Sequence, residues 1–260
     1  MRMPVLFVGH GSPMNAIEEN AFTQTLRKLS QTLPKPKTIC VVSAHWVTRG
    51  SQVLTVEHPR TIHDFYGFPK ALYDVQYKAP GAPVEAKRLA FEQRLLADHE
   101  WGFDHGTWSV LRHIYPDADV PVFQVSLDYG RTFAEHVELA QELRGLRDRG
   151  VLIIGSGNLV HNLHRMNWSM EHSAYPWATE FDANVKQAID RRDIASLQAP
   201  DRWGTSLLAS AHPTLEHYAP MLYTMGCTDE HDTVSYPYEG IELGSVSMRT
   251  VLFQPELSLE

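Results

Sequence analysis

Three short runs of aliphatic and β-branched residues stand out from the polar segments around them: VLFVG at 5–9, TICVVSA at 38–44 and VLIIGSG at 151–157. Unbroken apolar runs of this length predict strands buried on both faces, as in a parallel sheet. Two of them follow segments whose apolar residues recur every three or four positions, 21–33 (AFTQTLRKLSQTL) and 133–147 (FAEHVELAQELRGLR). That period predicts amphipathic helices, and Gly150 supplies the stop expected after the second. Further strands are expected at 51–57, 120–127, 233–239 and 245–253, and further helices at 83–97 and 178–190. The alternation predicts an α/β fold with a mixed, mostly parallel central sheet flanked by helices. The Pro- and Gly-bearing stretches 58–83 and 167–177 are rich in aromatics and read as structured loops, not tethers. One domain, 1–260, is expected.

Composition narrows the partners. The chain has 260 residues, 43% hydrophobic and 21% charged, with a formal net charge of −8 that argues against nucleic acid or an anionic membrane surface. A small molecule suits it better. The opening apolar stretch is too short for a signal peptide, and no segment approaches the ~20 apolar residues of a bilayer span, so a cytoplasmic protein is expected. Cys40 and Cys227 lack the spacing of a zinc or redox pair and read as core residues. The pattern carries no information on oligomeric state.

The 14 histidines change the picture through their positions. VLFVGHG ends at His10, TICVVSAHW at His45, and VLIIGSGNLVHNL reaches His161. A single histidine after a strand is ordinarily a loop residue bonded to backbone. Three of them at the carboxyl ends of parallel strands would converge where open α/β sheets bind ligands. The glycines beside His10 would let a ligand approach the backbone. Several neutral imidazoles with no thiol or acid interleaved point to a transition metal. In 210–226 (SAHPTLEHYAPMLYTMG) Pro213 suits the first turn of a helix, placing Glu216 and His217 early in it and Gly226 just past its end. Adjacent helical residues point about 100° apart, so only one of the two would face a metal. His212 is a weaker candidate. HExxH, HxxEH, GxSxG, P-loop and GxGxxG motifs are all absent.

Two aromatic-rich segments add candidates. WGFDHGTWSVL (101–111) carries Asp104, which reads equally as a helix cap or a functional acid, and His105. TIHDFYGFP (61–69) carries His63 and Asp64, which core packing explains equally well.

Together GHGSPMN, VSAHW, IHDFYGFP, WGFDHG, SGNLVHNL and HPTLEHY, in this order over most of the chain, resemble the class III extradiol ring-cleavage dioxygenases, in the branch of the DOPA dioxygenases of plants and bacteria. The resemblance implies a non-haem Fe(II) site that opens a catechol ring beside its hydroxyls with O2, giving a muconic semialdehyde. By motif, His10, His45 and His217 match the metal ligands, His161 the acid/base histidine, and His105 a further pocket histidine with a catalytic part. It also implies that Zn2+ can occupy the isolated protein, with His161 as a fourth ligand. Protocatechuate-cleaving relatives use a glutamate in the triad. Here His217 is preferred to Glu216, which leaves three histidines and no anionic ligand, a set that also accepts zinc readily. His161, with an ordinary pKa near 6.5, would take and return the catechol proton. Trp108, Tyr66 and Tyr218 are candidate ring contacts. The competing readings are a zinc-dependent amide or ester hydrolase and a non-catalytic metal-binding protein.

Overall fold

The long apolar runs form the middle of a six-stranded sheet in the computed structural model, which describes residues 2–170 and 172–256. Its strands are β1 (Val5–Gly9), β2 (Thr38–Ser43), β3 (Val122–Gln124), β4 (Val151–Gly157), β5 (Asp232–Tyr238) and β6 (Thr250–Pro255), in the spatial order β3-β2-β4-β1-β6-β5. The first four in that order are parallel; β6 and β5 continue the sheet antiparallel. Alternate residues of each central strand enter opposite layers. Val5, Phe7, Cys40, Val42 and Ile153 pack with helices Phe133–Leu143, Pro176–Asp190 and Ala219–Gly226, whereas Leu6, Val8, Val41 and Ile154 pack with Ala21–Thr32 and His105–Ile114. Burial on both faces is why these strands show no polar alternation. Cys40 and Cys227 are buried and unbonded to each other, as expected.

The two predicted amphipathic helices begin at reciprocal caps, Asn20 with Thr23 and Thr132 with Glu135. The second tightens into a 3-10 turn, Arg144–Arg149, and stops at Gly150 with φ +87°. Among the described residues no helix is long and apolar enough to cross a membrane.

Several boundaries differ from expectation. Helix Pro83–Gln93 ends at Arg94, which adopts φ 53°, and Leu96–Asp98 then pairs with Gln52–Leu54 as a short ladder. The expected strand 120–127 is interrupted at Ser126, whose Oγ accepts the Gln52 amide and bonds Thr48 Oγ1. The expected strand 245–253 breaks at Met248 and Arg249; the Met248 amide turns to Gly240 O and the Arg249 guanidinium pairs with Asp182 and Glu239. Glu216 and His217 do not lie on a helix. Residues 213–218 form bends and turns, the helix starts at Ala219 with Pro220 in its first turn, and Gly226 is its last residue.

That turn is held by the carboxyl end of β4. The Asn158 amide donates to His217 O at 2.9 Å, and a Cβ on Gly157 would lie 2.2 Å from the same oxygen. Only glycine permits this approach. At Gly9 a Cβ would meet Ser247 O at 2.6 Å. The small residues at the strand ends therefore admit the protein's own chain, not a ligand as the sequence pattern suggested.

Candidate metal centre

Backbone hydrogen bonds carry the sheet one step beyond its strands: the His10 amide donates to Gly157 O at 3.0 Å and the Ala44 amide to Ser156 O at 2.9 Å. Side chains leaving β1, β2 and β4 are thereby brought to one rim. His105 joins them as the first residue of helix His105–Ile114, and His217 arrives on its turn. Ring centroids of His10, His45 and His217 form a nearly equilateral triangle with sides of 5.0, 5.0 and 5.4 Å. His105 lies 3.8 Å from His45, and His161 stacks on His217 at 3.5 Å with an interplanar angle of 6°. All five predicted histidines meet. Their donor atoms fall into two groups, His10–His45–His105 and His161–Glu216–His217, each within 4.8 Å. The predicted triad spans both groups, and the centroid triangle joins them into one cluster.

Neighbouring acceptors decide which ring nitrogen carries hydrogen. Ser156 Oγ donates to Gly106 O at 2.6 Å, so towards His10 Nδ1, 2.9 Å away, it can only accept. His10 is thus an Nδ1–H tautomer with its lone pair on Nε2. His45 Nδ1 lies 3.3 Å from Asp64 Oδ2, and His217 Nδ1 lies 3.2 Å from Glu216 Oε1. The same assignment follows for both rings. The Nε2 atoms of His10 and His45 then face each other at 3.1 Å as two lone pairs, and His217 Nε2 is buried with no hydrogen-bond partner. Such an arrangement is costly unless a cation lies among the three nitrogens. The donor set therefore fits a transition metal.

Burial, followed by repulsion from the neighbouring imidazoles, holds His10, His45 and His217 well below the usual histidine pKa. Protons do not compete for their lone pairs near neutrality. His161 is lowered to about 3, again chiefly by burial and then by His212 and His105. The ordinary value near 6.5 expected from sequence does not hold here. Burial also pushes Asp64 upward, but its hydrogen bonding to His105 and its attraction to His105 and His45 together outweigh this, so its carboxyl is held below its ordinary value.

Other candidates have structural posts. His212 donates from Nε2 to Leu159 O and packs on Phe181 and Tyr218; His63 donates to Val75 O. Asp104 caps helix His105–Ile114 and accepts from Ser43 and Gln124. Trp108 and Tyr218 are wholly buried, with their polar atoms given to Ile62 O and Leu197 O, and Tyr66 is 92% exposed. Trp108 and Tyr218 thus offer no exposed ring face, whereas Tyr66 stands in solvent. Phe65 lies edge-on to His105 at 5.6 Å and so puts an aromatic ring against the cluster. Sequence reasoning missed the acceptor Ser156 and left Asp64 as equally a packing residue. For Ser156 only its place one residue before Gly157 in β4 could have signalled it.

Residues 4–243 match the family described as the catalytic LigB subunit of aromatic ring-opening dioxygenase. The chain belongs to this family. Within the ring-opening dioxygenases it is 48% identical to the 4,5-DOPA dioxygenase extradiol of Escherichia coli K12, over 96% of this chain and 94% of that one. It is 35% identical to the protein of the same name from Beta vulgaris, over 95% of each. Its fold matches the crystal structure of an uncharacterized Escherichia coli K12 protein with a TM-score of 0.83 and 43% identity, covering 96% of this chain and 99% of that one. The protein is a metal-dependent extradiol dioxygenase, an oxidoreductase. These relationships give the hydrolase reading no support.

Proposed function

We propose that residues 1–260 act as one catalytic domain that uses Fe(II) and O2 to open the ring of DOPA, or of a catechol closely like it, to a muconic semialdehyde. The observation that carries the proposal is the set of three neutral imidazoles, His10, His45 and His217, each with Nδ1 anchored and Nε2 directed into the cluster. DOPA as substrate is supported by the names of the Escherichia coli and Beta vulgaris relatives. His10, His45 and His217 would hold Fe(II), which would supply Lewis acidity towards the catechol and a route for the catecholate's electrons to dioxygen.

The remaining work belongs to the protein. With only neutral histidines as ligands, a divalent ion held there would keep its full charge for a catecholate. Neutral His161 takes the proton of the second hydroxyl at an imidazole nitrogen. Its pKa of about 3 makes it a weak base, and so a ready donor when the proton must be returned. His105, beside His45 and against Phe65, assists that return and borders the space for the ring. Zn2+ fits the same nitrogens, with His161 near enough to be a fourth ligand, but offers no redox chemistry.

The test is a reconstitution in parallel with Fe(II) and with Zn2+, followed by DOPA under air and under argon. Only the iron protein under air should consume oxygen, one molecule per catechol, and form a yellow product. Turnover by the zinc protein, or turnover under argon, would overturn the proposal.

A further inference from the structure

We infer that Asp64 is a positioning residue shared by a metal ligand, His45, and the neighbouring pocket histidine, His105, and that it fixes both as Nδ1–H tautomers. The inference rests on the reading of His45 as a ligand. It begins with the stiffness of the loop that carries Asp64. The Ile62 amide donates to Phe103 O at 2.7 Å, Trp108 Nε1 donates to Ile62 O at 2.8 Å, and His63 Nε2 donates to Val75 O at 3.0 Å. The two residues before Asp64 are thus tied down, which gives its carboxylate a defined place. Oδ1 accepts the backbone N–H of His105 at 2.9 Å, one of the donors that a helix start leaves without an intrahelical partner.

Asp104 already caps that helix, so Asp64 is not needed as its cap. Its other oxygen, Oδ2, lies 2.9 Å from His105 Nδ1 and 3.3 Å from His45 Nδ1. The buried His105 Nδ1 makes no hydrogen bond of full geometry, and Asp64 Oδ2 is the carboxylate oxygen that approaches it. A carboxylate offers two lone pairs on that atom and no hydrogen, so each imidazole must turn an N–H towards it. For His45 this leaves the Nε2 lone pair facing His10 Nε2, 3.1 Å away. For His105 it leaves Nε2 as the nitrogen free to exchange a proton with a bound ring. Carboxylates that orient metal-binding imidazoles from behind act in this manner. Here one carboxylate serves two histidines with different tasks.

Asp64→Asn tests this, because it preserves shape and the oxygen that the His105 amide needs while replacing Oδ2 by an N–H donor. The measurements are long-range 15N–1H spectra of the histidine rings in metal-free protein and the affinity for Zn2+ alone. Expected are a change of His45 and His105 from Nδ1–H to Nε2–H patterns and a loss of zinc affinity of about 10–100-fold. The thermal midpoint should stay near that of the unaltered protein. Asp64→Glu should restore part of both signals. Unchanged tautomers with unchanged zinc affinity in Asp64→Asn would overturn the inference. His45→Ala separates the two levels: loss of zinc there with no effect of Asp64→Asn defeats the role of Asp64 alone, and retained zinc there defeats the metal centre itself.

Discussion

The two ends of the parallel strands treat buried polar groups in opposite ways. At the amino end Arg147 is fully buried, and each nitrogen of its guanidinium is hydrogen-bonded. Its guanidinium holds Asp232 through both oxygens, Met3 O at 2.7 Å and Cys227 O at 3.0 Å. At the carboxyl end five imidazoles share one rim, and those expected to hold the metal have one nitrogen tied and one left over. A charge enclosed by its own partners stabilises the fold and offers nothing to a ligand. Buried lone pairs without partners are a debt the fold alone does not settle, and they mark where a ligand must supply the missing interaction. The glycines separate the two ends further: at the rim they let strand and turn backbones touch, which draws His217 in.

The largest effects should come from removing members of the rim. His10→Ala should abolish metal binding and turnover together. His161→Ala should keep the metal and slow turnover by roughly two to four orders of magnitude, the usual range for a lost acid/base. Metal content by elemental analysis beside steady-state rates checks both, and a metal-free His161→Ala protein would make His161 a required ligand.

At the opposite end, Asp232→Ala strands the Arg147 charge and should cost about 3–5 kcal/mol of stability in urea unfolding. Zinc affinity of the folded fraction should not change. A parallel loss of zinc affinity would erase the contrast between the two ends.

The last effect concerns protons. His136 and His212 are each lowered to about 4, mainly by burial, from an unfolded value near 6.5. Between those values the unfolded chain binds more protons than the folded one. Their contribution to stability is therefore complete above pH 6.5 and lost as the pH falls towards 4, on the order of 3 kcal/mol for each group. Urea midpoints of metal-free protein at pH 7 and pH 5 measure the summed slope, to which the lowered rim histidines add, so the contribution of His136 is read by difference from its variant. His136→Asn should flatten it, and a midpoint that rises on acidification contradicts the assignment.

Much of the parallel half was legible in the chain because its signals are local. Val5–Gly9, Thr38–Ser43 and Val151–Gly157 are apolar throughout, and a strand covered on both faces has little other way to be written. Gly150 ends its helical segment where a glycine stop was expected. Misreadings arose where a distant partner overrode a local pattern. The amphipathic pattern of 83–97 runs on past Arg94, but pairing with Gln52–Leu54 claims residues 96–98. Pro213 looked like a helix start, yet the grip of Gly157 and Asn158 on His217 O keeps residues 213–218 in turns until Pro220.

The sequence by itself determined the layered α/β plan and the rank of histidines at the strand ends, because hydrophobic period and strand-to-loop transitions are properties of neighbouring residues. Only the tertiary structure decided which nitrogen of each ring is free. That depends on Ser156, Asp64 and Glu216, and the first two lie far along the chain from the imidazoles they anchor, so no sequence spacing records those contacts.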